Sequence, residues 1–161
     1  MIEDFALSKT YTLYDLTGSD SHPELVEENR SVASTSLAVR QKLVAAATLL
    51  LEPLTLQLGH KIVVTSGFRC NKLNNVTEGA SVISQHMKGE AVDCAATGKE
   101  QLRLMQFLSR CQYAKSFSYL SFPPVDAALA LSWHQFRVYP QRGFFHISLQ
   151  TGVNDMQIDI I

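Results

Sequence analysis

The sequence predicts an α+β fold, with helices packed on a mainly antiparallel sheet. Three observations carry this expectation. Apolar residues recur at helical spacing in two long stretches. Short apolar and aromatic runs, bounded by turn-forming residues, read as strands. The order is helices, strand, loop, strand, helix and then strands, which suits helices laid on one sheet. A chain of 161 residues is long enough for one domain with a real core, and residues 1–10 and 151–161 read as its periphery.

Residues 1–10 look loosely held. In TGSDSHPELVEEN, Ser21 is expected to cap a helix, Pro23 suits its first turn, and Glu24 complements the positive helix end. The main helix is expected from about Ser36 to Leu58, where Leu43, Ala47, Leu50, Leu54 and Leu58 form one apolar stripe. Pro53 removes a backbone donor and should kink it, and Gly59 should end it. KIVVTS (61–66) reads as a short buried strand, and GFRCNKLNNVTEGAS as loop with a helical turn around Cys70 to Val76. EAVDCAA (90–96) is a second strand. Lys99 to Cys111 is a second amphipathic helix, with Leu104, Phe107, Leu108 and Cys111 inward. SFSYLSF, SWHQFRVY and GFFHISL read as three further strands, with turns at Pro123-Pro124 and from Pro140 to Gly143.

Composition narrows the function classes. The chain is 46% apolar and 18% charged, as in ordinary globular proteins. A formal net charge of -1 gives no global positive field for nucleic acid or an anionic membrane. The longest apolar stretch, LVAAATLLLEPLTLQL, is broken by Glu52 and Pro53, so no membrane span is expected. Cys70, Cys94 and Cys111 are an odd number without zinc-finger spacing, which fits reduced, partly buried thiols. The first residues carry no basic and apolar leader pattern, so the expected place of synthesis is the cytoplasm. Oligomeric state has no signature here.

The segment SQHMKGEAVD, Ser84 to Asp93, carries the chemistry. Strand alternation puts Ala91, Asp93 and Ala95 on one face of EAVDCAA, with Val92 and Cys94 on the other. In GFFHISL, Phe144, His146 and Ser148 share a face. Asp93 and His146 therefore sit mid-strand in apolar runs, where an unpaired carboxylate is costly. A metal cation bridging Asp93, His146 and the nearby His86 would remove that cost, and Gly89 lets the intervening loop turn back. Two neutral imidazoles and one carboxylate form a common catalytic zinc set that leaves a fourth position for water. Such a site would carry a formal charge of about +1 and could polarise a carbonyl. The alternative is a turn leading into a strand, with a structural histidine and a capping aspartate.

These residues resemble a known pattern. Ser84-x-His86-x-x-Gly89-x-Ala91-x-Asp93, with the later aromatic-aromatic-His146-Ile147-Ser148, resembles the zinc D-alanyl-D-alanine peptidase family. That family includes cell-wall carboxypeptidases and phage endolysins, and is similar in fold to the hedgehog signalling domain. VTSGFRCNKLNNVTEGASVISQH and YTLYDLTGSDSHPELVEEN extend the likeness, which covers roughly residues 10 to 150. The resemblance implies His86, Asp93 and His146 as zinc ligands. It implies Arg69 as the group that grips a substrate carboxylate or carbonyl, and Ser84 as a residue orienting the loop or a substrate group. The implied partner is a peptidoglycan peptide and the implied site of action is the cell wall.

One departure bears on activity. A zinc peptidase needs a general base, which in this family is usually acidic and near the turn before the late histidine. From Trp133 to Ser148 there is no Asp or Glu, and Tyr139-Pro140 stands where endolysin-like members carry glutamate. His134 is the first substitute, because imidazole titrates near neutrality. Tyr139 is the second, on a strand face shared with Gln135 and Arg137. Glu90 should point away from the face of Asp93. The remaining alternative is a zinc-containing domain that binds cell-wall peptides with weak or no hydrolysis.

Overall fold

The computed structural model describes residues 2–116, 133–149 and 157–161. Of the expected strand SFSYLSF, only Ser116 lies within the described residues, where it ends a helix. The turn at Pro123-Pro124 falls outside them.

A single 3-10 turn at Pro23–Leu25 leads into α1, Val26–Thr35. Ser21 does not cap it. The Ser19 hydroxyl accepts the His22 N–H instead, two residues further upstream than expected. Ser36 caps α2, Leu37–Ala45, by accepting the Val39 N–H. Helical backbone then continues through a π-type turn, Ala46–Leu51, into α3, Glu52–Leu58. That turn is how the chain accommodates Pro53. The ring would meet the carbonyl four residues back, and the Glu52 N–H reaches five residues back to Ala47 O. The disturbance expected at the proline therefore lies in the turn before it. Gly59, at φ 85, closes α3 with its N–H on Thr55 O.

Of KIVVTS only β1, Val64–Ser66, is strand. The helical turn after Arg69 is α4, Asn71–Val76, and the second strand is β2, Ala91–Ala95. The second amphipathic helix is α5, Gly98–Ser116, longer than expected. Leu104, Leu108 and Cys111 are buried in it and Phe107 is packed against the core. β3, Trp133–Tyr139, and β4, Phe144–Leu149, form a hairpin whose turn residues Arg142 and Gly143 both donate to Tyr139 O. β5, Gln157–Ile160, lies in the tail expected to be peripheral.

The described strands form one sheet in the order β1-β2-β4-β3-β5, antiparallel throughout except for the parallel pair β3 and β5. The α+β expectation holds. One face of the sheet packs on the helices. Val92, Cys94, Phe136, Val138, Phe145 and Ile147 meet the helical stripe of Leu43, Ala47, Leu50 and Leu54 in a single apolar cluster. Residues 2–10 are better held than their sequence suggests. Leu7 is buried, Ala6 bridges Thr12, and Glu52 accepts from Ser8 and Thr10. All three cysteines are buried thiols outside any disulfide, and burial pushes the Cys94 thiol well up.

Candidate metal centre

The other face of the sheet carries the polar residues. Asp93 and His146 are register partners on the neighbouring strands β2 and β4, so their side chains rise together. His146 Nδ1 lies 2.8 Å from Asp93 Oδ1. His86 arrives from a short 3-10 turn, Gln85–Lys88, with its Nε2 3.4 Å from Asp93 Oδ2. Gly89, at φ 73, reverses the chain between that turn and β2. One ligand atom from each of the three lies within 4.8 Å of the others. The three residues expected to converge do so.

The donor chemistry fits a divalent cation. The His86 Nδ1–H donates to Gly67 O at 2.8 Å, which fixes the tautomer and leaves the Nε2 lone pair facing Asp93. Burial pushes the His86 imidazole below its ordinary pKa, only partly opposed by Asp93, so the ring is neutral at neutral pH as a ligand must be. For Asp93, burial alone would raise the pKa. The hydrogen bond from His146, with His86 close by, outweighs it and holds the carboxyl well below the usual carboxylate range.

Arg69 sits beside this cluster, 8% exposed, with Nη2 3.9 Å from Asp93 Oδ2 and a buried Nε that has no partner among the described residues. Burial lowers its pKa and Asp93 opposes that shift. Two hydrogen bonds tie its loop to the histidine loop: the Arg69 backbone N–H donates to His86 O, and the His86 ring Nδ1–H donates to Gly67 O. Asn29 of α1, fully buried, clamps the same loop. Its amide donates to Thr17 O and Phe68 O, and its carbonyl accepts the Cys70 N–H at 2.7 Å. Ser84 caps the 3-10 turn by accepting the His86 N–H, so it orients the loop while also lining the cleft.

The cluster opens into a cleft of about 820 Å³, a size that admits a short peptide. Tyr139 lines it and stacks on Phe144 with ring centroids 4.3 Å apart. His134 lies at the start of β3, beside the register irregularity between Trp133 and Gln135, and is not among the lining residues. Glu90 is turned to the helices, where it meets Lys42 at 3.2 Å. Asn29, Asp20, Glu78 and Arg142 were not singled out by sequence. A buried amide clamp has no local signature, and the other three reach the cleft only through the fold.

Fold and donor set together describe an α+β domain whose His-Asp-His cluster could hold a metal ion. The chain belongs to the Peptidase M15 family, whose model matches residues 21–122. The match takes in Arg69, His86 and Asp93 and stops short of β3 and β4, so His146 joins the set by its position opposite Asp93. No curated protein and no solved structure gives a match. Among the described residues, no helix is long and apolar enough to cross a membrane.

Proposed function

We propose that this chain is a zinc-dependent peptidase acting on bacterial cell-wall peptides. The observation that carries the reading is the convergence of His86, Asp93 and His146 at a cleft that also holds the buried Arg69. Zinc bound by those three residues supplies a Lewis acid for the scissile carbonyl and lowers the pKa of water. Arg69 grips a carboxylate or carbonyl of the peptide, since a guanidinium can offer two parallel hydrogen bonds. Ser84 holds the His86 loop in place. Tyr139 carries the proton to the leaving amine at its phenol oxygen, a role favoured over His134 by the cleft lining. Carboxypeptidase and cross-link endopeptidase action would use the same centre.

A second reading is a cell-wall peptide-binding domain with little hydrolysis. It is favoured by the absence of any carboxylate on β3 or on the described part of β4 among the cleft-lining residues. Elemental analysis of the purified chain should give one zinc per molecule. Zinc-loaded protein should release new amines from stem peptides. Tyr139→Phe should lower kcat by about a hundredfold with zinc content unchanged. Zinc and peptide binding without amine release would favour the binding reading, and a metal-free chain would remove both.

A further inference from the structure

Asn29, near the start of α1, is fully buried. An unpaired amide there would cost about 1–3 kcal/mol, and helix propensity gives no reason for an asparagine at that position. Three hydrogen bonds remove the cost, and two of them fall on the neighbours of a single residue. The Nδ2 group donates to Phe68 O at 2.8 Å and to Thr17 O at 2.9 Å, and Oδ1 accepts the Cys70 N–H at 2.7 Å. The Phe68 carbonyl belongs to the peptide plane before Arg69, and the Cys70 N–H to the plane after it. A residue has only two soft backbone torsions, and they set how those two planes lie. One side chain therefore holds both torsions of Arg69. The first plane is gripped from its other edge too, because the Arg69 N–H donates to His86 O at 3.1 Å. The bond to Thr17 O anchors the amide in turn to the segment whose Leu16 O accepts the Phe68 N–H. With its torsions held, the direction in which Arg69 leaves the backbone is held, and its Nη2 lies 3.9 Å from Asp93.

We propose that Asn29 is the positioning residue of Arg69: through it α1 presets the aim of the guanidinium, and so the peptide affinity of the cleft. Asn29 itself does not line the cleft. Its contribution is pre-organisation, since a guanidinium already aimed loses less freedom when it pairs. His86 keeps a restraint of its own, the bond from its Nδ1–H to Gly67 O, so the metal centre does not depend on the amide. The effect on peptides rests on the gripping role given to Arg69 in the peptidase reading.

The test titrates the zinc-loaded parent and its variants with a purified stem pentapeptide. Affinity is read as KM where the peptide is cleaved and as Kd by calorimetry where it is not. Asn29→Asp keeps the shape and the acceptor for Cys70 and removes both N–H donors. It should weaken the peptide by about tenfold, the scale of a charge-assisted hydrogen bond, with kcat and zinc affinity within about twofold of the parent. In an Arg69→Met background the same change should alter peptide affinity by less than about twofold, because the group it aims is gone. A merely structural role would weaken both backgrounds alike. That result, no weakening in either background, or an equal loss of zinc affinity overturns the positioning role and leaves Arg69 its grip. If Arg69→Met alone leaves peptide affinity unchanged, or the parent binds no peptide, the grip fails and the positioning role fails with it. In the parent, the Cys70 amide proton should exchange with deuterium only through global unfolding. Exchange at the rate of an open loop overturns the clamp, and this measurement decides if Asn29→Asp does not fold.

Discussion

Gly67 joins packing to chemistry in a single backbone unit. A Cβ there would overlap the Leu16 carbonyl oxygen and stand 2.8 Å from its carbon, so any side chain must push the two segments apart. The Gly67 carbonyl is the acceptor that fixes the tautomer of His86. Gly67→Ala should therefore cost about 2 kcal/mol of stability through overpacking, read from urea unfolding. It should also weaken zinc by about tenfold in a chelator competition, as loss of a ligand-orienting hydrogen bond does. A variant that loses stability and keeps its zinc affinity would mean that the carbonyl follows the ring without orienting it. The proposed ligands were legible because His86 and Asp93 share one short motif and His146 follows the two-residue alternation of a strand. Gly67 and Asn29 were not, because their partners lie 51 and 12 or more residues away in sequence and no local period marks such a meeting.

Among the elements, the helix from Leu37 to Leu58 shows what periodicity reveals and what it hides. Its apolar stripe gave the extent and the buried face, and each stripe residue is in the core. Periodicity could not place the π-type turn, which depends on how the chain spends the hydrogen bond that Pro53 lacks. Nor could it show that Glu52, next to that proline, binds the N-terminal segment. Glu52 accepts from the Ser8 hydroxyl and from the Thr10 N–H and hydroxyl. Burial alone would raise its pKa, and these hydrogen bonds outweigh it and lower it. With the folded value below the unfolded one, the contribution is present above the ordinary glutamate range. It is lost as pH falls through the lowered folded value. Glu52→Gln should thus reduce unfolding free energy by about 1 kcal/mol at neutral pH, with the difference from the parent shrinking as pH falls below about 4. Urea titrations at the two pH values check it. A difference that does not change with pH would assign the effect to shape and not to the carboxylate. β5 escaped notice for a related reason: a four-residue strand in parallel register with β3 draws its pairing from the sheet, not from its own pattern.

Across the whole molecule, the helix-facing side of the sheet and its cleft side do separate work. The apolar cluster joins the sheet to α2, α3 and α5 without using any of the three residues proposed to hold the metal. The α+β class was legible from segment order for this reason, because the core alone dictates it. The cleft side holds Asp93 between two imidazoles across β2, β4 and the His86 turn, so an ion there ties three separate stretches of chain. Binding to the folded state alone stabilises it by about 4 kcal/mol at a thousandfold excess over Kd. For a chain of this size that is a rise in Tm of roughly 10 °C. A chelator should therefore lower Tm by about that amount while far-UV dichroism and a cooperative transition persist, because the core does not depend on the metal. Asp93→Asn should unfold at one temperature with or without zinc. If the chelated protein instead loses cooperative unfolding, the metal side and not the apolar side holds β2 to β4. The domain would then fold as small metal-dependent modules do, with binding and folding as a single event.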